Sequence, residues 1–229
     1  AAYLRQHPDI FMARGEPHYF GSDIHFNPSK MSKQNYLKFF SKARNEKRVG
    51  EKSTWYLYSK QAAAEIKKFC PYAKIIIQIR NPVDMLYSLH SHLVYHTGRE
   101  DIQDFEVALD AEKDRRKGFR IPKHARFPDH LFYSDIPRYA DQIKRYINLF
   151  GNNSVDIIIF DDFIKNTAEV YKEVLRFLRV DDEFSPQFKV VNPGKSLKSA
   201  AVRDFIRDSW MTKIARIVLP HITRRLIGQ

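Results

Sequence analysis

The chain has 229 residues, of which 43% are hydrophobic and 14% aromatic, so its composition suits a folded core and excludes intrinsic disorder. Lysine and arginine number 39 against 27 aspartates and glutamates, and the formal net charge of +12 favours an anionic ligand. The single cysteine, Cys70, excludes an internal disulfide and any zinc site with several cysteines. No apolar stretch of about 18 residues is present, so no transmembrane helix is predicted.

Helical and strand-like segments alternate along the chain. Apolar residues at helical spacing predict a helix over 59–69, and the β-branched run 74–80 predicts a strand buried on both faces. A helix over 136–149 precedes a second such run at 154–160, and a helix over 167–178 follows it. This alternation, with no internal repeat or flexible linker, predicts a single α/β domain over 1–229.

The turn after the first predicted strand is the most informative local feature. The strand ends at Arg80, Asn81 is a favoured helix N-cap, and Pro82 suits the first helical position. Ligands bind at the carboxyl edge of α/β sheets, and phosphates favour helix N-termini, so Arg80 is a candidate phosphate ligand. Ser88, further along the same helix, offers a hydroxyl donor to the same anion. The alternative is that Arg80 lies at a surface turn and Ser88 is an ordinary helical residue.

Two basic segments account for much of the net charge. Within region 97–130, six cations occur in twelve residues without an intervening acid: Arg115, Arg116, Lys117, Arg120, Lys123 and Arg126. The simpler interpretation of this region is a solvated surface loop. The more specific interpretation is a variable rim of the binding site that attracts an anionic acceptor. The last 35 residues carry a charge of +6. The stretch from Met211 onward is predicted either to pack on the core or to contact an anionic membrane surface as a basic amphipathic helix.

Four segments together resemble a known family. Arg80-Asn81-Pro82 followed by Ser88 resembles the 3′-phosphate motif of sulfotransferases that use 3′-phosphoadenosine 5′-phosphosulfate (PAPS). Segment 15–20 (Gly-Glu-Pro-His-Tyr-Phe) resembles the one that carries the catalytic glutamate in the heparan-sulfate-type branch and its bacterial relatives. Segment 50–57 (Gly-Glu-Lys-Ser-Thr-Trp-Tyr-Leu) resembles that branch's Gly-Glu-Lys-Ser segment, and 139–163 resembles its later helix–strand–helix unit. The likeness spans roughly residues 1–210.

The resemblance implies a P-loop NTPase-like fold, a three-layer sandwich around a mainly parallel sheet, and assigns roles to particular residues. Glu16 is expected to take the proton from the acceptor, with a pKa raised by partial burial, and Lys52 to stabilise the transferring sulfuryl group. His18 is a competing base, expected beside Glu16 on one side of an extended strand. Arg80 and Ser88 are expected to bind the 3′-phosphate of PAPS.

The resemblance also implies partners. The acceptor is expected to bear a hydroxyl on an anionic carbohydrate, with adenosine 3′,5′-bisphosphate (PAP) as the second product. Lys195 is a further candidate contact to the nucleotide. No metal is expected, because His90, His92 and His96 lack a carboxylate or cysteine to complete a site.

One family feature is missing, and other functions stay open. The family's Lys-x-Gly-Thr-Thr turn for the 5′-phosphosulfate is not found, and segment 1–8 resembles the end of the helix that follows it. Either that turn precedes Ala1 in the native protein, or the chain is a degenerate relative that lacks it. The alternatives are a basic nucleic-acid- or anion-binding domain without catalysis, and a nucleotide kinase-like P-loop protein. No nucleic-acid motif supports the first, and neither Gly-Lys-Ser-type segment has the glycine spacing that the second needs. We predict a cytoplasmic location, with the lumenal domain of a Golgi-type enzyme as the alternative.

Overall fold

A computed structural model describes residues 1–24, 31–125 and 127–189 of the chain. These residues group into two compact units. The first contains described residues 1–24, 31–78 and 145–189, and the second contains 79–125 and 127–144. The prediction of a single domain stays a prediction.

The strands form two small sheets. In the first, β1 (Ile10–Met12) pairs in parallel with β2 (Arg48–Gly50), so that Ile10 lies opposite Arg48. In the second, β3 (Ile75–Ile79) pairs with β4 (Val155–Ile159). The predicted α/β class is confirmed, and both β-branched runs are strands. The larger three-layer arrangement around one central sheet stays a prediction, because the described residues form only these two pairs.

Eight α-helices occur among the described residues, interspersed with the strands. They are α1 (Lys33–Lys38), α2 (Ala62–Phe69), α3 (Pro82–His92), α4 (Phe105–Asp110), α5 (Glu112–Arg115), α6 (Tyr139–Phe150), α7 (Phe160–Lys165) and α8 (Thr167–Leu178). None of the helices in these residues is long and apolar enough to cross a membrane.

The three helices predicted from periodicity are all present, with small differences at their starts. Helix α2 begins three residues later than predicted, at Ala62, whose N–H donates to the Ser59 hydroxyl at 2.8 Å. Helix α6 also begins three residues later than predicted, at Tyr139. The carbonyls of Asp135 and Ile136, which precede it, accept hydrogen bonds from the Gln142 side chain at 3.3 and 3.0 Å. Helix α8 has the predicted bounds.

The first unit buries two apolar clusters. One joins β1, β4 and one face of α8, and its members are Ile10, Ile158, Val170, Tyr171, Val174, Leu175 and Leu178. The other is aromatic and is built on Phe20, Tyr36 and Ala62, with the Tyr19 and Tyr36 rings stacked at 4.2 Å. The second cluster fixes the chain immediately after Glu16.

Region 97–130 is a solvated loop only in part: it contains α4 and α5, whereas residues 116–125 lie outside helices and strands, and Lys117, Arg120 and Lys123 are exposed. Arg115 is fully buried, and its guanidinium contacts the Glu100 carboxylate at 2.7 and 2.8 Å, to which Tyr133 also donates at 2.9 Å. Arg116 pairs with Glu112 at 2.5 Å. The two cations at the start of the basic run are therefore already paired within the fold, and the role of the region in acceptor binding stays a prediction.

Candidate functional site

Glu16 lies at the centre of a cluster of polar contacts in the first unit. Its Oε1 is 2.5 Å from Lys52 Nζ, and its Oε2 accepts hydrogen bonds from the Thr54 N–H at 3.1 Å and the Thr54 hydroxyl at 2.8 Å. The His18 Nε2 lies 3.3 Å from the same Oε2. The structure thus brings together Glu16, His18 and Lys52, as the sequence predicts.

The parallel pairing of β1 and β2 explains why these residues meet. The chain leaves both strands at the same edge of the sheet, and the Ala13 N–H extends the pairing by donating to the Gly50 carbonyl at 2.8 Å. Glu16 follows the end of β1 by four residues, and Lys52 follows the end of β2 by two. Two separate sequence segments therefore supply one site.

The local backbone differs from the predicted extended strand. Segment 13–19 has no regular secondary structure, and two of its residues adopt the left-handed region, Gly15 at φ +82° and His18 at φ +48°. This region is open to glycine but costs a residue with a Cβ about 1–2 kcal/mol. The side chains of Glu16 and His18 therefore meet through a turn, so the strand geometry expected for the pair is wrong although the contact is present.

The electrostatics of Glu16 also differ from the prediction. The hydrogen bond from His18, followed by those from Lys52 and Thr54, holds the pKa of the Glu16 carboxyl well below its ordinary value of 4.5. Partial burial acts in the opposite direction and does not prevail. The predicted rise of this pKa is wrong, because the surroundings that bury the carboxylate also supply four hydrogen-bond donors to it.

Two residues beside Lys52 were missed by sequence reasoning. Thr54 directs both its backbone and its side-chain donor at Glu16, and Glu51 is a second carboxylate, whose pKa is raised by burial. Both lie in the segment 50–57 that carries the family resemblance. That resemblance was the available signal, since a threonine and a glutamate in an irregular stretch have no periodicity to reveal them.

Arg80 and Ser88 belong to the second unit. Asn81 caps α3 as predicted, with its side-chain oxygen accepting the Val83 N–H at 2.9 Å, and Pro82 is the first helical residue. The buried phenol of Tyr139 hydrogen-bonds to the backbone of Arg80 and so fixes this turn. Ser88 is exposed and lies about 10 Å along the helix axis from the cap. The 3′-phosphate site stays a prediction.

Other candidates have different surroundings or lie elsewhere. The His90 ring is buried and contacts the Ile102 carbonyl at 2.8 Å, while the His92 and His96 rings stack at 5.4 Å. The part of the chain that the structure describes contains no group of three or more potential metal-ligating side chains. Lys195 and the C-terminal basic stretch lie outside the described residues.

Comparison with known proteins identifies a family. Residues 22–191, well over half of the chain, match the family described as "Sulfotransferase domain". The chain is similar to the bifunctional heparan sulfate N-deacetylase/N-sulfotransferase 1 of Caenorhabditis briggsae, at 26% identity over 189 residues. That match covers 78% of this chain and 20% of the relative, so the chain spans about a fifth of the relative's length.

Two solved structures are also similar. The crystal structure of a sulfotransferase from Alicyclobacillus acidocaldarius matches with a TM-score of 0.78 and 28% identity, covering 95% of this chain and 87% of that one. A mouse sulfotransferase complexed with PAP matches with a TM-score of 0.48 and 13% identity, covering 93% of this chain and 59% of that one. The similarity to the bacterial structure extends over nearly the whole chain.

Proposed function

We propose that this chain, which belongs to the sulfotransferase domain family, transfers the sulfuryl group of PAPS to a hydroxyl group of a carbohydrate acceptor. The observation that carries the proposal is the contact of a carboxylate and an ammonium group, Glu16 and Lys52, at the edge of the β1–β2 sheet. Sulfuryl transfer to an alcohol needs a base at the attacking oxygen and positive charge at the leaving oxygen, and these two side chains supply both.

The chemical roles follow from the residue types. PAPS supplies an activated sulfuryl group, whose bond to the 5′-phosphate oxygen breaks as a bond from sulfur to the acceptor oxygen forms. Glu16 takes the acceptor proton, and Lys52 stabilises the charge that develops on the leaving phosphate. Arg80 binds the 3′-phosphate through its planar guanidinium, and Ser88 donates its hydroxyl to the same group.

Lys52 also has a second role, because its contact with Glu16 keeps the carboxylate a weak base. A carboxylate with a depressed pKa holds a proton poorly, and Lys52 is one cause of that depression. The phosphosulfate group is an anion that competes for the Lys52 ammonium. When Lys52 turns to the donor, Glu16 loses an ion-pair partner and its pKa rises, so the base becomes stronger at the step where it is needed.

The carbohydrate acceptor is supported by the relative from C. briggsae, whose name specifies heparan sulfate. The chain's net charge of +12 agrees with an acidic acceptor. The name of that relative also specifies an N-sulfotransferase, so an amine is the competing acceptor group.

Binding of PAP to the full native chain, measured by calorimetry, tests the donor. We expect Arg80→Ala to weaken PAP binding at least about tenfold, because a charge-assisted contact to phosphate is lost. Arg138→Ala is the matched control, since Arg138 is an exposed arginine of the same unit that pairs with Asp141. Undetectable PAP binding, or equal affinity in wild type and Arg80→Ala, would rule out the proposed donor site.

Transfer of radiolabelled sulfate from PAPS to paired oligosaccharides tests the acceptor. One member of each pair carries free amines, and in the other the amines are acetylated so that only hydroxyls remain. Labelling of the acetylated member is the expected result. Labelling confined to the amine-bearing member would show that the acceptor group is an amine and not a hydroxyl. No labelling of either member would count against transfer to a carbohydrate.

A further inference from the structure

We propose that Glu51 is a positioning residue, which holds the segment carrying Glu16 and His18 in its reactive shape through the hydroxyls of Ser53 and Tyr56. The inference rests on the proposed function for its catalytic consequence. The Glu51 side chain is partly buried, and its Oε1 is a buried oxygen without a hydrogen-bond partner in the part of the chain that the structure describes. It makes no contact with Glu16 among the hydrogen bonds and ion pairs of the described residues. Its effect therefore passes through the backbone after Glu16.

Two hydroxyls accept the backbone N–H groups of three consecutive residues that follow Glu16. The His18 N–H donates to Ser53 Oγ at 3.1 Å, and the Tyr19 and Phe20 N–H groups donate to the Tyr56 phenol oxygen at 2.9 and 3.3 Å. A backbone N–H can only donate, so each hydroxyl must act as an acceptor here. The proton of each hydroxyl is consequently directed elsewhere.

In the proposed network both protons are directed to Glu51. The Ser53 hydroxyl donates to Glu51 Oε2 at 2.9 Å. Burial raises the pKa of Glu51, the neighbouring Tyr56 phenol acts against that rise, and the network directs the phenol proton to the same carboxylate. A carboxylate offers acceptors only, so it can receive both hydroxyls at once. Glutamine would replace the charged acceptor by a neutral amide oxygen, which is a weaker acceptor, and would add an NH₂ group that cannot accept a hydroxyl proton. The network therefore favours a carboxylate at this position.

This network acts on a strained part of the chain. His18 has a left-handed backbone, and such conformations persist where the surroundings determine them. Ser53 supplies that restraint at the His18 N–H, and the turn it fixes brings the His18 ring to 3.3 Å from Glu16. Without the restraint, the turn relaxes and the ring loses its position beside the carboxylate.

The charges around Glu51 are consistent with this role. The titratable groups that face it are Tyr56, His18 and Glu16, together with the phenols of Tyr36 and Tyr146. Burial raises the pKa of Glu51, so the ionised form is retained at a cost that the two hydroxyl donors offset. A carboxylate that served packing alone would not require hydroxyl donors around it.

Amide hydrogen exchange and steady-state kinetics of the full native chain test the proposal. In Glu51→Gln, the amides of His18, Tyr19 and Phe20 are expected to exchange at least about tenfold faster, while those of helix α8 are unchanged. We expect kcat to fall at least about tenfold with the KM for PAPS within about twofold, since positioning is lost and donor binding is not. Glu51→Asp, which retains a carboxylate, is expected to recover part of kcat.

Variants that remove either hydroxyl test the same network if Glu51→Gln does not fold. Ser53→Ala is expected to accelerate exchange at His18 alone, and Tyr56→Phe at Tyr19 and Phe20. Tyr171→Phe is the matched control, because its phenol contacts the Tyr3 carbonyl at 3.4 Å, outside the network.

The outcomes separate this proposal from the proposed function. Unchanged exchange at residues 18–20 in these variants overturns the network, whether or not transfer is seen. Faster exchange with an unchanged kcat overturns the catalytic role of Glu51 and leaves sulfuryl transfer intact. Absence of transfer by the wild type would instead count against the proposed function, and the exchange data would still decide whether Glu51 holds the segment.

Discussion

Replacing Glu16 by glutamine is expected to change the pH dependence of folding stability by a calculable amount. The pKa of Glu16 is depressed in the folded protein and has its ordinary value of 4.5 in the unfolded chain. Its contribution to stability is therefore fully present above pH 4.5 and is lost as pH falls toward the folded-state pKa. Glutamine has no proton to bind, so the variant lacks this dependence.

The magnitude follows from linkage. At pH 3.5 the unfolded wild type has bound about nine tenths of a proton at Glu16, whereas the folded protein still holds the ionised carboxylate. Integrated from pH 7 to 3.5, this difference removes about 1.4 kcal/mol from the stability of the wild type relative to the variant. At pH 7 we expect Glu16→Gln to cost about 1.5–3 kcal/mol, the usual range for hydrogen bonds to a charged group, since the Glu16 side chain is 27% exposed.

The assay is urea unfolding of wild type and variant at several pH values between 7 and 3.5, with the m-values compared. If the difference between wild type and Glu16→Gln is the same at pH 7 and pH 3.5, the donors around Glu16 do not depress its pKa and the reasoning is refuted.

Three further predictions concern other residues of the two units. Lys52→Met is expected to lower kcat by about 10²–10³, because positive charge at the leaving oxygen is lost, and steady-state transfer assays check this. His18→Asn removes the largest cause of the low Glu16 pKa, so the acidic limb of the pH profile of kcat/KM should move to higher pH, and an unmoved limb would argue against the contact. Arg115→Met leaves the buried Glu100 carboxylate without its ion pair and should lower the free energy of unfolding by about 3–5 kcal/mol in urea titrations, whereas adding Glu100→Gln should restore part of that loss.

Much of the secondary structure was predictable because it is encoded locally. The β-branched runs became β3 and β4, helix α8 has the predicted bounds, and Asn81 and Pro82 open α3 in the predicted positions. In each case neighbouring residues set the backbone conformation through apolar periodicity or through a side chain that bonds within one turn. Region 97–130 was harder, since α4 and α5 are short and Arg115 is buried by a distant partner.

Within the candidate site, residue identities were predictable and their chemistry was not. The family resemblance of segments 15–20 and 50–57 predicted Glu16, His18 and Lys52, and the structure places all three together. The direction of the Glu16 pKa was wrong. Burial can be anticipated from neighbouring apolar residues, but the donors of Thr54 reach Glu16 across 38 positions of sequence.

The sequence by itself determined the strongly basic charge, the α/β alternation and the family to which the chain belongs, because composition, periodicity and ordered motifs are properties of the linear chain. Only the tertiary structure decided how that charge and those motifs are used. In the folded protein, Arg115 and Arg116 pair with carboxylates. Glu51 accepts a hydrogen bond from the Ser53 hydroxyl, which in turn accepts the His18 N–H. The contacts around the turn at His18 depend on where the parallel strands β1 and β2 leave their sheet. The pairing of Arg115 with Glu100 depends on the packing of region 97–130, and both geometries exist only after the chain has folded.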